Sequence, residues 1–315
     1  MLALPAPIDA THGPHPGRLN LVDGLYFGYF AAMSIAIAVR QTNVRGWPVY
    51  LGLHALVAIV IFLLARGSAR WSALRLLHDW YPLAVFIFCF KEVARLSFLF
   101  TSSWKDHYIL RLEARVFPVP PTVWLGEHGW WPVTELAELG YFSYFPLLII
   151  VGGVLYRRQD TRPFAQAMAA SVVAYFICYA VFLLFPTEGP AHTLRHLHTA
   201  PIVGGPFHWL VLLIQKHAGV HGAAFPSSHV AAGVVALIFA WKYQPRLGAA
   251  LTPLVVLLCI GAVYDRYHYA SDVVAGIVVA AAASVFFLCE PLRRRLSGLR
   301  LRRLPSRRRK LVSWG

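Results

Sequence analysis

The sequence predicts an all-α, polytopic membrane bundle of about eight transmembrane helices. Hydrophobic residues make up 58% of the chain and charged residues 14%, which is typical of multi-spanning membrane proteins. Apolar runs near 20 residues, each long enough to cross the hydrocarbon core as a helix, recur along the chain. Short connections rich in arginine and lysine separate them, as in helices that pass back and forth across a bilayer.

The apolar runs are identified by their length and by the near-absence of charge. In chain order they are 21–39, 47–65, 81–100, 139–156, 164–185, 226–241, 247–264 and 270–288. The first carries Asp23 near its start, and no small-residue cleavage pattern precedes it. We therefore interpret it as an uncleaved span and not as a signal peptide.

The formal net charge of +15 raises the question of a nucleic-acid partner. Ten of the basic residues lie in one terminal run, 293–310, directly after the last apolar run. A basic tail in that position is typical of cytoplasmic retention and of attraction to anionic lipid. We favour anionic-lipid contacts for the tail and expect no nucleic-acid partner.

Basic residues in the short connections predict the orientation of the chain. They lie between spans two and three, four and five, and six and seven: Arg66, Arg70, Arg75, Arg157, Arg158, Arg162, Lys242 and Arg246. With eight spans these connections share one side with both termini, and the positive-inside rule makes that side cytoplasmic. We expect a multi-pass protein of the cell membrane, a bacterial inner membrane, with the remaining connections outside.

Two connections, 101–138 and 186–225, are too long to be plain linkers. Residues 106–117 predict an interfacial helix with charge on one side, and residues 206–217 predict another. Several aromatic residues after the first of these helices are interpreted as a belt at the headgroup level. They are Trp124, Trp130, Trp131, Tyr141 and Tyr144.

The candidate site lies in two motifs, FPSSH at 225–229 and YDRYHYASD at 264–272. His229 follows a serine pair, and His268 stands four residues before Asp272. The apolar runs between the motifs form a hairpin whose turn lies at one membrane face, so both histidines meet at the other. Two imidazoles, an orienting carboxylate and helix N-termini suited to phosphate indicate a phosphoryl-transfer site.

Simpler interpretations exist for each of these residues. His229 alone fits a helix-terminal residue bonded to water or backbone, and His268 with Asp272 fits a structural bond one helical turn apart. Zinc accepts two histidines and an aspartate, but no further ligand stands at suitable spacing near them. We therefore expect no metal.

Charged residues inside the third run require an explanation, since charge within a span is costly. Lys91 and Arg95 are four residues apart and share a helical face, which suits an anionic lipid headgroup. Alternatively, Glu92 and Arg95 neutralise each other within the bundle. The sequence leaves both interpretations open.

At these residues the chain resembles a known family. FPSSH and HYASD are similar to the second and third signature motifs of the type 2 phosphatidic acid phosphatase superfamily. The stretches 106–117, YFSYF and FPTEGP resemble its inositol phosphorylceramide synthase branch, an inositolphosphotransferase. The resemblance covers roughly 82–276. It implies a six-helix core, His229 as general acid, His268 as nucleophile through a phosphohistidine-type intermediate, Asp272 as its orienting group, and no cofactor.

The chain departs from the family pattern at the phosphate-binding cations. The first phosphatase motif is absent, because Leu155 stands where its lysine would precede Arg162 and Pro163. An arginine usual before the nucleophilic histidine is Ala262, which leaves Arg266 as a candidate. In FPTEGPAH, Ala191 stands where this branch often has an arginine, and Arg195 is the candidate to take its place.

The predicted function is therefore a lipid headgroup phosphotransferase acting on a lipid phosphoester donor with an alcohol or water acceptor. A lipid phosphate or pyrophosphate phosphatase with the same site is the alternative, and a lipid transporter using the charged third span is a rival of another class. Expected phosphate-binding residues are Ser227, Ser228, Arg266, Lys91 and Arg95. The expected domains are a cytoplasmic segment 1–20, one transmembrane catalytic domain 21–292 and the basic tail 293–315.

Overall fold

The structure, a computed structural model, describes residues 16–289 and is all-helical there, which confirms the predicted fold class. Seven of its helices are long and apolar enough to cross a membrane, and the helix Ser228–Tyr243 is apolar but shorter. The chain is therefore a multi-pass membrane protein. Most of the predicted segment 1–20 and the whole tail 293–315, with its expected lipid contacts, lie outside the described residues.

The helices follow one another through short connections, many of them starting at a proline. In chain order they are α1 Leu21–Val39, α2 Trp47–Gly67, α3 Ser72–Trp80, α4 Pro82–Arg95, α5 Asp106–Glu113, α6 Pro121–Glu127, α7 Trp131–Tyr156, α8 Arg162–Leu184, α9 Pro190–Thr193, α10 Pro206–Ala218, α11 Ser228–Tyr243, α12 Pro245–Tyr264 and α13 Ala270–Leu288. Proline suits the first turn of a helix, because the amide hydrogen it lacks would have no intrahelical partner there.

The third span differs from its predicted bounds of 81–100. It extends over Ser72–Arg95 and is divided into α3 and α4 at Tyr81 and Pro82. Pro82 cannot donate to the preceding turn, so the hydrogen-bond ladder breaks there. The fourth span, predicted at 139–156, begins at Trp131, where Pro132 occupies the first turn. Hydropathy located both spans but missed ends built from polar and aromatic residues.

Six helices form the core. α7 packs along α12, α11 contacts α7, α8, α12 and α13, and α4 packs on α8. α1 and α2 pair with each other outside this group, where α1 reaches α8 and α2 reaches α3. The core is thus made by α4, α7, α8, α11, α12 and α13, and the two motifs lie on its last three members.

Glycines allow the core helices to approach closely. A Cβ atom at Gly140 of α7 would overlap the backbone of Leu257 in α12, and one at Gly261 of α12 would overlap the backbone of Ala137. Small residues at helix contacts are the usual means of close packing in membranes, where dispersion replaces the hydrophobic effect as the driving force. This contact fixes α12, and with it the end that carries His268.

Charges buried among α1, α2 and α4 are paired. The Glu92 carboxylate accepts from the Tyr29 hydroxyl at 2.9 Å and lies 2.6 Å from His54 Nε2. Within residues 16–289 no salt bridge joins Glu92 to Arg95, so the proposed neutralisation of Glu92 by Arg95 is wrong. The reason is long-range packing, which brings His54 of α2 against α4.

The hairpin of α11 and α12 places its turn at the end of the bundle opposite the histidines. The two helices pack against each other and join at Gln244. At this turn Arg158 Nη1 donates to the carbonyl of Tyr243 at 3.0 Å, so the α7–α8 and α11–α12 connections meet. Two of the basic connections therefore share one end of the bundle, as the sequence predicted.

Candidate active site

The two histidines face each other across a cavity at the other end of the bundle. His229 lies in the first turn of α11 and His268 lies two residues before α13, and their ring centroids are 6.1 Å apart. Both line a cavity of about 310 Å³ whose walls come from α4, α7, α8, α10 and the two motif loops. The structure therefore brings together the two residues that the sequence paired.

His268 is held in one tautomer. Its Nδ1 lies 2.9 Å from the carbonyl oxygen of Ala224 and 3.4 Å from Oδ2 of Asp272. A carbonyl oxygen only accepts, so Nδ1 carries the hydrogen and Nε2 keeps its lone pair. The expected partner Asp272 is present, but the shorter bond goes to the backbone of Ala224. An unprotonated Nε2 is the form that can attack an electrophile.

Burial lowers the pKa of His268 to about 4, and the hydrogen bond to Ala224 opposes this shift in part. The cause is the loss of water around the ring, which penalises the charged imidazolium. The imidazole is therefore neutral at pH 7. A neutral, oriented ring suits a nucleophile better than an acid.

His229 sits in a ring of aromatic side chains. Its ring centroid lies 4.6 Å from that of Tyr144, 5.3 Å from that of Tyr141 and 6.1 Å from that of Phe90. Its Nδ1 is buried without a hydrogen-bond partner among the described residues. His229 is thus positioned by packing, and its Nδ1, unlike that of His268, has no partner among the described residues.

Tyr141 and Tyr144 correct the aromatic-belt prediction. Trp124, Trp130 and Trp131 are exposed, as a headgroup belt requires, but both tyrosines are buried and line the cavity. The sequence could not separate the two groups, because all five aromatic residues occur in one stretch before or within α7. The helix start at Trp131 turns Tyr141 and Tyr144 inward.

The two serines have different places. Ser227 is fully buried; its amide donates to the carbonyl of Asp272 at 3.0 Å, and its hydroxyl accepts from the Val230 amide at 3.3 Å. It caps α11 and ties that helix to α13. Ser228, in contrast, lines the cavity. Ser228 is therefore the serine in a position to meet a substrate.

Of the predicted phosphate-binding cations, Arg266 reaches the cavity wall and two do not. Arg266 has a positive φ of 64°, and its Nη2 donates to the carbonyl of Ala200 at 2.6 Å. Lys91 is half-buried and Arg95 is exposed, and neither belongs to the described cavity lining. Arg195 is exposed as well. The headgroup role of Lys91 and Arg95 stays a prediction.

Helix α5 supports the site through its acidic face. It ends at Glu113 and not at 117, with Tyr108 and Leu112 exposed and its acidic residues turned inward. Asp106 accepts from the amides of Glu188 and Gly189 at 2.8 and 2.9 Å. The spacing of Asp106, Ile109 and Glu113 was the available signal, since positions three and seven residues apart share one helical face.

The same carboxylates also reach α13, the helix that follows His268. Asp106 accepts from the Tyr269 hydroxyl at 2.9 Å, and Glu113 accepts from both the amide and the hydroxyl of Ser271, at 2.8 and 2.9 Å. An anion at a helix N-terminus is favourable because the free amides and the helix dipole both attract it. α5 therefore fixes the start of α13, next to His268.

A group of metal-ligating side chains lies apart from His229 and His268. Among the described residues one group brings three metal-ligating side chains together, Glu188, His192 and His221. The first two lie in the FPTEGPAH stretch, four residues apart, and the third lies just before FPSSH. The sequence does not reveal the group, because its members come from two loops. The expectation of no metal at His229, His268 and Asp272 stays a prediction.

A helical membrane bundle with two histidines at one cavity, one of them bonded to a buried carboxylate, suits phosphoester chemistry in a membrane. Comparison with known proteins agrees. The sequence model of the PAP2 superfamily matches residues 107–286, more than half of the chain. The chain therefore belongs to this superfamily.

Two curated proteins are similar to parts of this chain. A PA-phosphatase related-family protein of Dictyostelium discoideum is 30% identical over 168 residues, 46% of this chain and 30% of the relative. A phosphoinositol dihydroceramide synthase of Bacteroides thetaiotaomicron is 24% identical over 184 residues, 54% of this chain and 60% of the relative. The matched region thus spans less than two thirds of either relative. No solved structure matches the chain significantly.

Proposed function

We propose that this enzyme transfers a phosphoryl-linked headgroup, of the phosphoinositol class, from a glycerophospholipid donor to a ceramide-like lipid alcohol. The observation that carries the proposal is His268, whose Nδ1 is fixed by Ala224 and Asp272 so that Nε2 is free beside His229. The name of the Bacteroides relative supports the headgroup and the acceptor. Membership of the superfamily favours an enzyme over the transporter suggested by Lys91, Glu92 and Arg95.

In the first half-reaction Nε2 of His268 attacks phosphorus, forming a P–N bond while the P–O bond to the glycerolipid breaks. His229 gives a proton to the departing alkoxide, which leaves as a neutral diacylglycerol. Asp272 stabilises the positive charge that develops on the ring of His268. Ser228 and Arg266 donate hydrogen bonds to the phosphoryl oxygens.

In the second half-reaction the acceptor hydroxyl loses its proton to His229 and attacks phosphorus, and the P–N bond breaks. His268 returns to its neutral form, and both protons are accounted for. Water in place of the lipid alcohol would make the same site a phosphatase, which is the second candidate. The missing lysine of the first phosphatase motif favours the transferase.

The setting of the reaction follows from the orientation of the bundle. The basic connections at the turn of α11 and α12 face the cytoplasm by the positive-inside rule, so the histidines face outward. Both substrates are membrane lipids that reach the cavity within the bilayer. The proposed location is a bacterial inner membrane, with the basic tail on anionic lipid.

The test is product analysis with purified enzyme in detergent. Phosphatidylinositol and a fluorescent ceramide are supplied together, and mass spectrometry identifies the labelled lipids. Phosphoinositol on the ceramide in the wild type, and none in His268→Ala, supports the transferase. Inositol phosphate released into water with unmodified ceramide supports the phosphatase instead. No turnover of any glycerophospholipid would contradict both.

A further inference from the structure

Three side chains outside the catalytic pair converge at the exposed edge of the cavity. Nε2 of His221 lies 2.7 Å from Oε1 of Glu188, and the ring centroids of His192 and His221 are 4.6 Å apart. One ligand atom from each of the three residues lies within 4.8 Å of the other two. The group is compact enough for one ion to contact all three with small side-chain movements.

The two loops that carry these residues are held in place. The amides of Glu188 and Gly189 donate to the buried carboxylate of Asp106, and Gly189 has a φ of 100° that suits only glycine. On the other loop Gly222, with a φ of 85°, lies against Trp104, whose ring also packs on His221 at 5.4 Å. The site is therefore presented by two fixed loops.

We propose that Glu188, His192 and His221 bind a zinc-type divalent cation at the edge of the catalytic cavity. Two imidazole nitrogens and one carboxylate oxygen are the ligands that zinc accepts with a fourth position left open. Magnesium and calcium prefer oxygen-only sites, so the donor set favours a first-row transition metal or zinc.

A bound cation would add positive charge to a cavity that has few positively charged side chains in its lining. Glu188 and His192 line the same cavity as His229, His268 and Ser228. Lys91 and Arg95 lie outside that lining, which leaves Arg266 as the arginine on the described wall. A metal with an open position toward the cavity supplies a binding point for an anionic oxygen of the headgroup.

Metal binding is tested without turnover, so its outcome is independent of the proposed transferase activity. The full-length protein in detergent is freed of metal with a chelator and titrated with Zn²⁺ by calorimetry and with Co²⁺ by absorption spectroscopy. We expect one saturable site and a cobalt spectrum of low coordination number. His221→Ala and Glu188→Gln should each weaken zinc binding by roughly tenfold or more. Even mutations of residues that only support metal ligands typically weaken metal affinity by this amount.

His217→Ala is the matched control. His217 is an exposed histidine on α10 whose Nδ1 lies 2.9 Å from the carbonyl of Leu213, outside the proposed site. The His217→Ala variant should bind zinc like the wild type. Zinc should raise the melting temperature of the wild type and of His217→Ala, but not that of His221→Ala. Absence of saturable binding in the wild type would overturn the proposal. Equal zinc affinity in folded His221→Ala and Glu188→Gln would do the same.

Discussion

At the scale of single residues, the two histidines of the site differ in which ring nitrogen already has a hydrogen-bond partner. Nδ1 of His268 is occupied by Ala224 and Asp272, whereas Nδ1 of His229 has no described partner. One histidine is therefore fixed in orientation and the other is free to exchange a proton. This difference supports the proposed roles of His268 as nucleophile and His229 as acid.

His268→Ala should abolish covalent labelling from any donor, because it removes the attacking nitrogen. Asp272→Asn should slow labelling on the order of 10²-fold, since Ala224 still holds the tautomer but the charge that stabilises the imidazolium is lost. Labelling is measured by quenched-flow with a radioactive phosphoester donor that has a good leaving group. A labelled protein in His268→Ala would contradict the assignment.

Asp265→Asn is the control for that experiment. Burial raises the pKa of Asp265 above its ordinary value, with the nearby Glu138 adding to the effect and Arg266 opposing it. Both of its carboxyl oxygens are buried without a hydrogen-bond partner among the described residues, and Asp265 does not belong to the described cavity lining. Asparagine at position 265 should change the labelling rate little. The comparison with Asp272→Asn separates the loss of the carboxylate beside His268 from the loss of any buried carboxyl group.

The pH dependence of labelling should show a low acid limb. The ring of His268 attacks only when neutral, so the rate falls as pH falls through its pKa, which burial lowers to about 4. Single-turnover labelling with a good leaving group measures this limb without the proton from His229. A limb centred near 6.5, the ordinary value for histidine, would show that the ring is solvated. Near-UV circular dichroism over the same range detects any unfolding.

The adjacent serines should give opposite phenotypes. Ser227→Ala removes the cap of α11 and should cost about 1 kcal/mol of stability with turnover of the folded fraction retained. Ser228→Ala removes a hydroxyl from the cavity wall and should slow turnover by up to roughly 10²-fold with an unchanged melting temperature. Thermal unfolding in detergent and product formation are measured on both variants. Identical behaviour of the two would contradict the division of roles.

At the scale of helices, the bundle is held by close contacts and by carboxylates placed at helix ends. α7 and α12 approach closely at Gly140 and Gly261, where a Cβ atom would meet backbone. α5 presents Asp106 to the loop before α9 and Glu113 to the first turn of α13. The exposed, apolar side of α5 suits the membrane interface that the sequence predicted, while its charged side serves the site.

Gly140→Ala should lower the melting temperature in detergent. The added methyl group meets the backbone of Leu257, and overpacking of this kind typically costs about 1–3 kcal/mol. Gly153→Ala on the same helix is the matched control, because nothing lies within 4 Å of a Cβ atom there. It should be neutral or slightly stabilising, since alanine is the better helix former. Equal melting temperatures for both variants would argue against close α7–α12 packing.

At the scale of the whole molecule, the histidines and the basic connections occupy opposite ends of the bundle. The loop before α10 reaches the site end, where the carbonyl of Ala200 accepts from Arg266. The α7–α8 connection meets the turn between α11 and α12 through Arg158. The bundle therefore has two alternative orientations in the membrane, which differ in whether the histidine end or the α11–α12 turn faces the cytoplasm.

Cysteine labelling in intact cells tests that choice. In a background without the native cysteines, Val203→Cys at the site end should react with an impermeant maleimide, and Asp160→Cys should react only after lysis. Both positions are exposed in the structure. The reverse pattern would mean that the histidines face the cytoplasm. Membrane vesicles of inverted orientation provide the control for reagent access.

The sequence by itself determined the membrane class, most of the spans and the pairing of His229 with His268. These features are encoded locally, in hydropathy over about 20 residues and in motifs at the two ends of one hairpin. The tertiary structure alone decided which serine meets the cavity and how α5 is turned. It also decided that Tyr141 and Tyr144 are buried, and that Glu188, His192 and His221 converge. Each depends on contacts between segments far apart in the chain, which neither hydropathy nor local spacing records.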